Sequence, residues 1–342
     1  MARTRIPALL ALAACALLAV PSAATESSAS GAAKDFLWAF DSHAPQVRTG
    51  GPLYWRGGDA GEGSIGVETH PAVYLVWWGS QWRRGFAIRD RDGRVWSSRA
   101  LQRYVRTFFS SVGGSAWAGV QTEYCAAATG GATGCTGASA SVSNPLHQLK
   151  GEWTDSAPVP ADVLSLGADP AAPDGAIERV ARSAASRLGY DPEATYIVLA
   201  PPGGKTPSGP VWCGYHAQTT APDGSGRLQY AFIPWLNRRW PGLGWGGCGM
   251  HSVNARSDAF GHGIFDAWSI VGGHEYAEAV TEPDDLGGVR DGWDDDYSAE
   301  AADKCAWSGL RNVWLGTRRF AVQPLWSNRA YAATGDGCVV SG

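Results

Sequence analysis

His274 and Glu278 stand four residues apart within Gly272-Gly-His-Glu-Tyr-Ala-Glu-Ala-Val-Thr-Glu-Pro283. On a helix, positions i and i+4 share a face, about 5–6 Å apart at Cβ. An imidazole and a carboxylate so placed can grip one divalent ion. Glu275 lies one step round that face, where a carboxylate can take a proton from a water the ion polarises. The chemistry of such a trio is metal-assisted hydrolysis, written most often on a helix as H-E-x-x-H. Here the last position is a glutamate instead.

The element that must carry these residues is readable on both sides. Asp266 is the expected N-cap, and Trp268, Ile270, Val271, Ala277 and Val280 supply apolar turns. Pro283 forbids continuation and biases Glu282 away from helical geometry. Gly272 and Gly273 each weaken a helix interior by about 1 kcal/mol, so something is expected to pack close to them, a backbone or a sheet edge. The bland alternative is an ordinary amphipathic helix with a solvated acidic face. Upstream, Ala72-Val-Tyr-Leu-Val-Trp-Trp78 reads as a buried strand and Ser98 to Ser111 as a helix. Asp174 to Leu188 reads as a second helix, Thr195 to Ala200 as a strand, and Tyr230 to Trp235 as part of a hairpin. The expected fold class is α+β, a mixed sheet with flanking helices.

The N-terminus has the pattern of a signal peptide over residues 1–24. Arg3 and Arg5 precede an apolar run from Ala8 to Val20, and Ser22-Ala-Ala24 makes a small-x-small cleavage site. That run is too short to span a membrane. Residues 25–65, rich in Ala, Ser and Gly, are expected to be a linker or N-terminal arm, and 66–342 a single domain. Beyond Cys15 six cysteines remain, an even number that in an exported chain reads as three disulfides. Nearest-neighbour pairing gives Cys125–Cys135, Cys213–Cys248 and Cys305–Cys338. A net charge of −4 without a basic block argues against nucleic acid and anionic membranes as partners. Seventeen tryptophans can line a cleft or fill a core, and the core is the commoner fate. The acidic run Asp294 to Asp296 lacks the glycine and closing glutamate of an EF-hand and reads as a solvated loop.

Val271-Gly-Gly-His-Glu-Tyr-Ala-Glu-Ala-Val-Thr281 resembles the active-site helix of thermolysin-type (gluzincin) metallopeptidases. Over about residues 70–340 the chain also resembles EXORDIUM-type phosphate-induced secreted proteins. That likeness rests on Trp77-Trp-Gly79, Trp212-Cys-Gly-Tyr-His216, Gly273-His-Glu275 with Glu278, and Glu300-x-x-Asp303-x-Cys305. The first resemblance implies a zincin-like sheet, zinc, peptide hydrolysis and Glu275 as general base. It also implies a third ligand and an aspartate orienting the first histidine, roles for Glu300 and Asp303 in either order, with Glu300 favoured as ligand. His216, His251 and His262 are candidate donors to a transition-state oxyanion. Glu278 in place of histidine makes the ion a weaker Lewis acid and admits manganese or calcium beside zinc.

The reading that follows is a secreted, monomeric, disulfide-tied zinc endopeptidase acting on peptide or protein substrates. Its rival is a non-catalytic EXORDIUM-like extracellular binding or signalling protein, in contact with cell-wall polysaccharide, with a structural metal or none.

Overall fold

The computed structural model describes residues 35–39, 50–58, 65–126, 129–137, 140–165, 175–204, 212–239, 247–283, 285–286 and 289–342. The chain divides into two units, 1–31 and 32–342, and only the second contains described residues. The signal-peptide segment 1–24 lies outside the described residues, as does most of 25–65.

Six strands form the principal sheet: β1 (Asp35–Trp38), β2 (Ala72–Trp78), β3 (Leu149–Asp155), β4 (Ala194–Leu199), β5 (Trp212–Thr220) and β6 (Arg227–Ile233). Their order is β1-β5-β6-β4-β2-β3. Strands β3, β2, β4 and β6 run parallel, while β5 is antiparallel to both β6 and β1. The central strands β2 and β4 are near-continuous apolar runs, as strands covered on both faces must be. The expected strands at 72–78 and 195–200 are these two, and the segment expected in a hairpin at 230–235 overlaps β6, whose antiparallel partner is β5.

Three helices cover the sheet. α1 (Ser98–Val112) begins at Ser97, whose hydroxyl accepts from the amide of Ala100 at 3.2 Å. α1 and α3 (Asp266–Thr281) share one apolar core with Leu75, Trp77, Ile197 and Ile233. α2 (Gly175–Leu188) packs the opposite face, against Val76, Tyr196, Val198 and Phe232. The fold is therefore α+β, a mixed sheet with flanking helices. Most tryptophans sit in its core: Trp77, Trp82, Trp117, Trp212, Trp268 and Trp293 are all buried.

The cysteines pair in chain order as Cys125–Cys135, Cys213–Cys248 and Cys305–Cys338. Among the described residues no helix is long and apolar enough to cross a membrane. Within 25–65, β1 extends the sheet, and Tyr54–Gly57 pairs antiparallel with Gly292–Asp294. The expected solvated loop at 294–296 is otherwise. Asp294 is buried against the Arg56 guanidinium, and Asp295 is buried while accepting from Lys304 Nζ at 2.8 Å. Of the three only Asp296 is exposed, and Arg56 Nη2 reaches it too, at 3.1 Å.

Candidate metal centre

α3 is apolar on nearly every side, and all its residues are buried. His274 and Glu275 have no exposure and Glu278 has 1 %. The amphipathic alternative therefore fails: this acidic face sees no solvent. Two local expectations also change. The residue preceding the helix is Phe265, and Asp266 caps nothing in its own helix. Its carboxylate instead accepts from the amides of Gly263 (2.7 Å) and Asn254 (2.9 Å), fastening the incoming loop. The close neighbours of the paired glycines are mainly aromatic rings, not a backbone or a sheet edge. A Cβ at Gly272 would stand 3.2 Å from Phe109 Cζ, and one at Gly273 3.1 Å from Trp117 Cη2. The missing methyls let α1 and Trp117 press directly on the turn that carries His274.

β5 faces this turn. Its pairing with β1 slips at Cys213, where Leu37 opposes Gly214 but Trp38 opposes Trp212. Such irregularities re-aim side chains next to sites. Beyond the slip, Gly214 and His216 point at α3 while Tyr215 and Ala217 join the opposite core. Gly214 is needed where it is. A Cβ there would lie 2.5 Å from Glu275 Oε1 and 2.9 Å from Val271 Cγ1. The Cys213–Cys248 bridge holds the strand at this point.

His274 Nε2 lies 2.9 Å from Glu278 Oε1 and 3.5 Å from Asp303 Oδ1. Asp303 opens a short 3₁₀ turn, Asp303–Cys305, which the Cys305–Cys338 bridge ties to the C-terminal segment. His216 Nδ1 lies 3.6 Å from Glu278 Oε2 and 3.8 Å from Glu275 Oε2. On the other side of its ring, Nε2 meets the Glu282 carbonyl oxygen at 3.1 Å and Glu300 Oε2 at 3.6 Å. Two overlapping groups of ligand atoms result: His274, Glu278 and Asp303, and His216, Glu275 and Glu278. Within each, the atoms lie within 4.8 Å of one another. Of the two residues offered for a third ligand, Asp303 stands beside His274, and Glu300 stands beside His216. His251 and His262 are elsewhere, His251 against Asp90 at 2.6 Å and His262 against Asp258 at 2.6 Å.

Electrostatics bind the cluster. Burial disfavours a charged His274, but Glu278, Glu275 and Asp303 reverse that and push its pKa up to about 10. Burial likewise opposes charge on His216, and the carboxylates of Glu275 and Glu278 hold it well above the usual histidine range. Burial raises the Glu275 carboxyl, only partly offset by the two imidazoles. Glu278 is also penalised by burial, yet His274 and His216 draw it below the usual carboxylate range.

The donor set fits a divalent cation. Both nitrogens of His274, both oxygens of Glu275, Glu278 Oε1 and His216 Nδ1 are buried without a hydrogen-bond partner. The close approach of His274 to Glu278 is thus an electrostatic contact without hydrogen-bond alignment. Buried polar atoms in native proteins are normally satisfied, and mixed imidazole and carboxylate ligation suits zinc or manganese. His216 belongs to the cluster although its sequence surroundings mark only a tryptophan-cysteine motif. No model of a known protein family matches the chain, nor does any characterised protein or solved structure.

Proposed function

We propose that this protein is an exported metal-dependent hydrolase, a zinc endopeptidase of zincin-like architecture. The observation that carries the reading is the buried group of His274, Glu278 and Asp303 with Glu275 alongside on the same helix. His274, Glu278 and Asp303 would hold the ion, and Glu300 would stay outside that set. A bound divalent ion supplies Lewis-acid polarisation of water and of a scissile carbonyl. Glu275 takes the proton from the attacking water and returns it to the leaving amine. Its raised pKa suits a carboxylate that must do both near neutral pH. Asp303, whose side chain is 25 % exposed, is where this group meets solvent. Two carboxylates and one imidazole balance a doubly charged ion, so manganese or calcium can replace zinc at lower electrophilicity.

The test is elemental analysis of purified protein together with hydrolysis of an unfolded protein such as reduced casein. Near-stoichiometric metal and a chelator-sensitive hydrolysis are expected; metal-free, folded protein would refute the reading.

One observation favours a second reading. Every member of the cluster except Asp303 is at most 4 % exposed, as in closed structural metal sites. On that reading the protein is a non-catalytic extracellular binding protein, and removing the ion lowers the melting temperature with no hydrolysis to lose. A tryptophan-lined polysaccharide surface receives little support. Trp314 is the one tryptophan among the strongly exposed large apolar residues described.

A further inference from the structure

We propose that the protein has a second divalent-cation site, formed by His216 Nδ1, Glu275 and Glu278, and joined through Glu278 to the ion held by His274, Glu278 and Asp303. The inference rests on the hydrolase reading above for the first ion.

Two observations lead to it. The first is the division of Glu278: Oε1 turns to His274 Nε2 at 2.9 Å, and Oε2 turns to His216 Nδ1 at 3.6 Å. A carboxylate with each oxygen facing a different imidazole has the disposition of a bridging ligand between two cations. The second is the tautomer of His216. Nε2 sits 3.1 Å from the carbonyl oxygen of Glu282, which can only accept, so Nε2 keeps its proton. Nδ1 is then the nitrogen left to ligate. It is buried without a hydrogen-bond partner, as are both oxygens of the facing Glu275. A ligating histidine commonly donates its other N–H to a carbonyl or carboxylate in this way.

Because Glu278 is shared, the first ion repels the second, so the sites fill in order. Filling the second engages Glu275, the proposed proton acceptor. Hydrolysis should therefore rise with the first equivalent of metal and fall with the second.

The experiment titrates chelator-stripped protein with Zn²⁺, following heat and the zinc retained after gel filtration. Wild type is expected to take one equivalent and then, at higher Zn²⁺, a second. His216→Ala and, separately, Glu275→Gln should keep the first and weaken the second on the order of tenfold or more. With Mn²⁺, the doubly loaded wild type should show the magnetic-resonance signature of a spin-coupled pair, and either variant an isolated ion. If His216→Ala does not fold, the nearly isosteric Glu275→Gln carries the comparison. Saturation of wild type at one equivalent up to millimolar Zn²⁺ overturns the second site and leaves the hydrolase reading standing. So does a second equivalent that survives both substitutions. No zinc at all refutes the first site, and the second with it.

Discussion

Gly214→Ala isolates the position of the proposed base from its chemistry. The new Cβ would stand 2.5 Å from Glu275 Oε1, 3.1 Å from its Cδ and 2.9 Å from Val271 Cγ1, where ordinary contact begins at 3.4 Å. Gly214 lacks the positive φ that would strain an alanine, so the effect comes from contact alone. Glu275 is rooted in a buried helix turn pressed by Phe108, Phe109 and Trp117, so its carboxylate must swing away by about 1 Å. Misplacement of that size costs on the order of 10² in rate, and overpacking of a rigid interior about 1–3 kcal/mol in stability. The first metal should stay, because the three atoms nearest a Cβ at 214 belong to Glu275 and Val271 and not to His274, Glu278 or Asp303. The assay is casein hydrolysis at one equivalent of zinc, with elemental analysis and calorimetric melting on the same samples. In a Glu275→Gln background the substitution should cause little further loss of rate, since coupled residues are not additive. Wild-type hydrolysis and melting by Gly214→Ala, or rate penalties that add, would show that Glu275 is not positioned by this strand.

Glu275→Gln should keep the first ion and lose hydrolysis by on the order of 10²–10⁴, whereas Glu278→Gln should weaken metal binding itself, both read by elemental analysis beside activity. Zinc binding should release a proton near pH 7, because metal-free His274 carries one up to about pH 10. Calorimetry in buffers of different ionisation enthalpy measures this, and an affinity that does not rise with pH contradicts it. Through the same raised pKa, His274 contributes stability to the metal-free protein that is fully present below the unfolded histidine value of about 6.5 and is lost as pH rises through about 10. Melting curves of chelator-treated protein across that window should show the decline. Replacing Cys213 and Cys248 by Ala opens a 35-residue separation and should cost about 4 kcal/mol. Hydrolysis should fall further than that stability loss explains, because Cys213 adjoins Gly214.

The helix, its end at Pro283 and the trio His274, Glu275 and Glu278 were legible because all are local. Spacing on one helix decides which side chains share a face, and proline decides where the helix stops. Chain-order pairing of the cysteines was legible for a similar reason: short separations are the easiest to close. The strands β2 and β4 announced themselves as apolar runs because both their faces are covered. β3 did not, since Leu149-Lys-Gly-Glu-Trp-Thr-Asp155 is a half-exposed edge with few apolar residues. β5 was hidden by Gly214 and His216, which face the site, and by the polar strip Gln218-Thr-Thr220 that follows. Tertiary structure alone decided that the acidic face of α3 is buried, because solvation depends on what packs above a helix and not on its own period. It alone decided that Asp303 stands at His274 while Glu300 stands at His216, three residues being enough to turn two carboxylates toward different rings. His216 enters from a strand far away in the chain, and its place depends on a register slip at Cys213 that no pattern of side chains encodes. Ligands on one helix are fixed by the helix; a ligand from the sheet is fixed by how the helix docks on it.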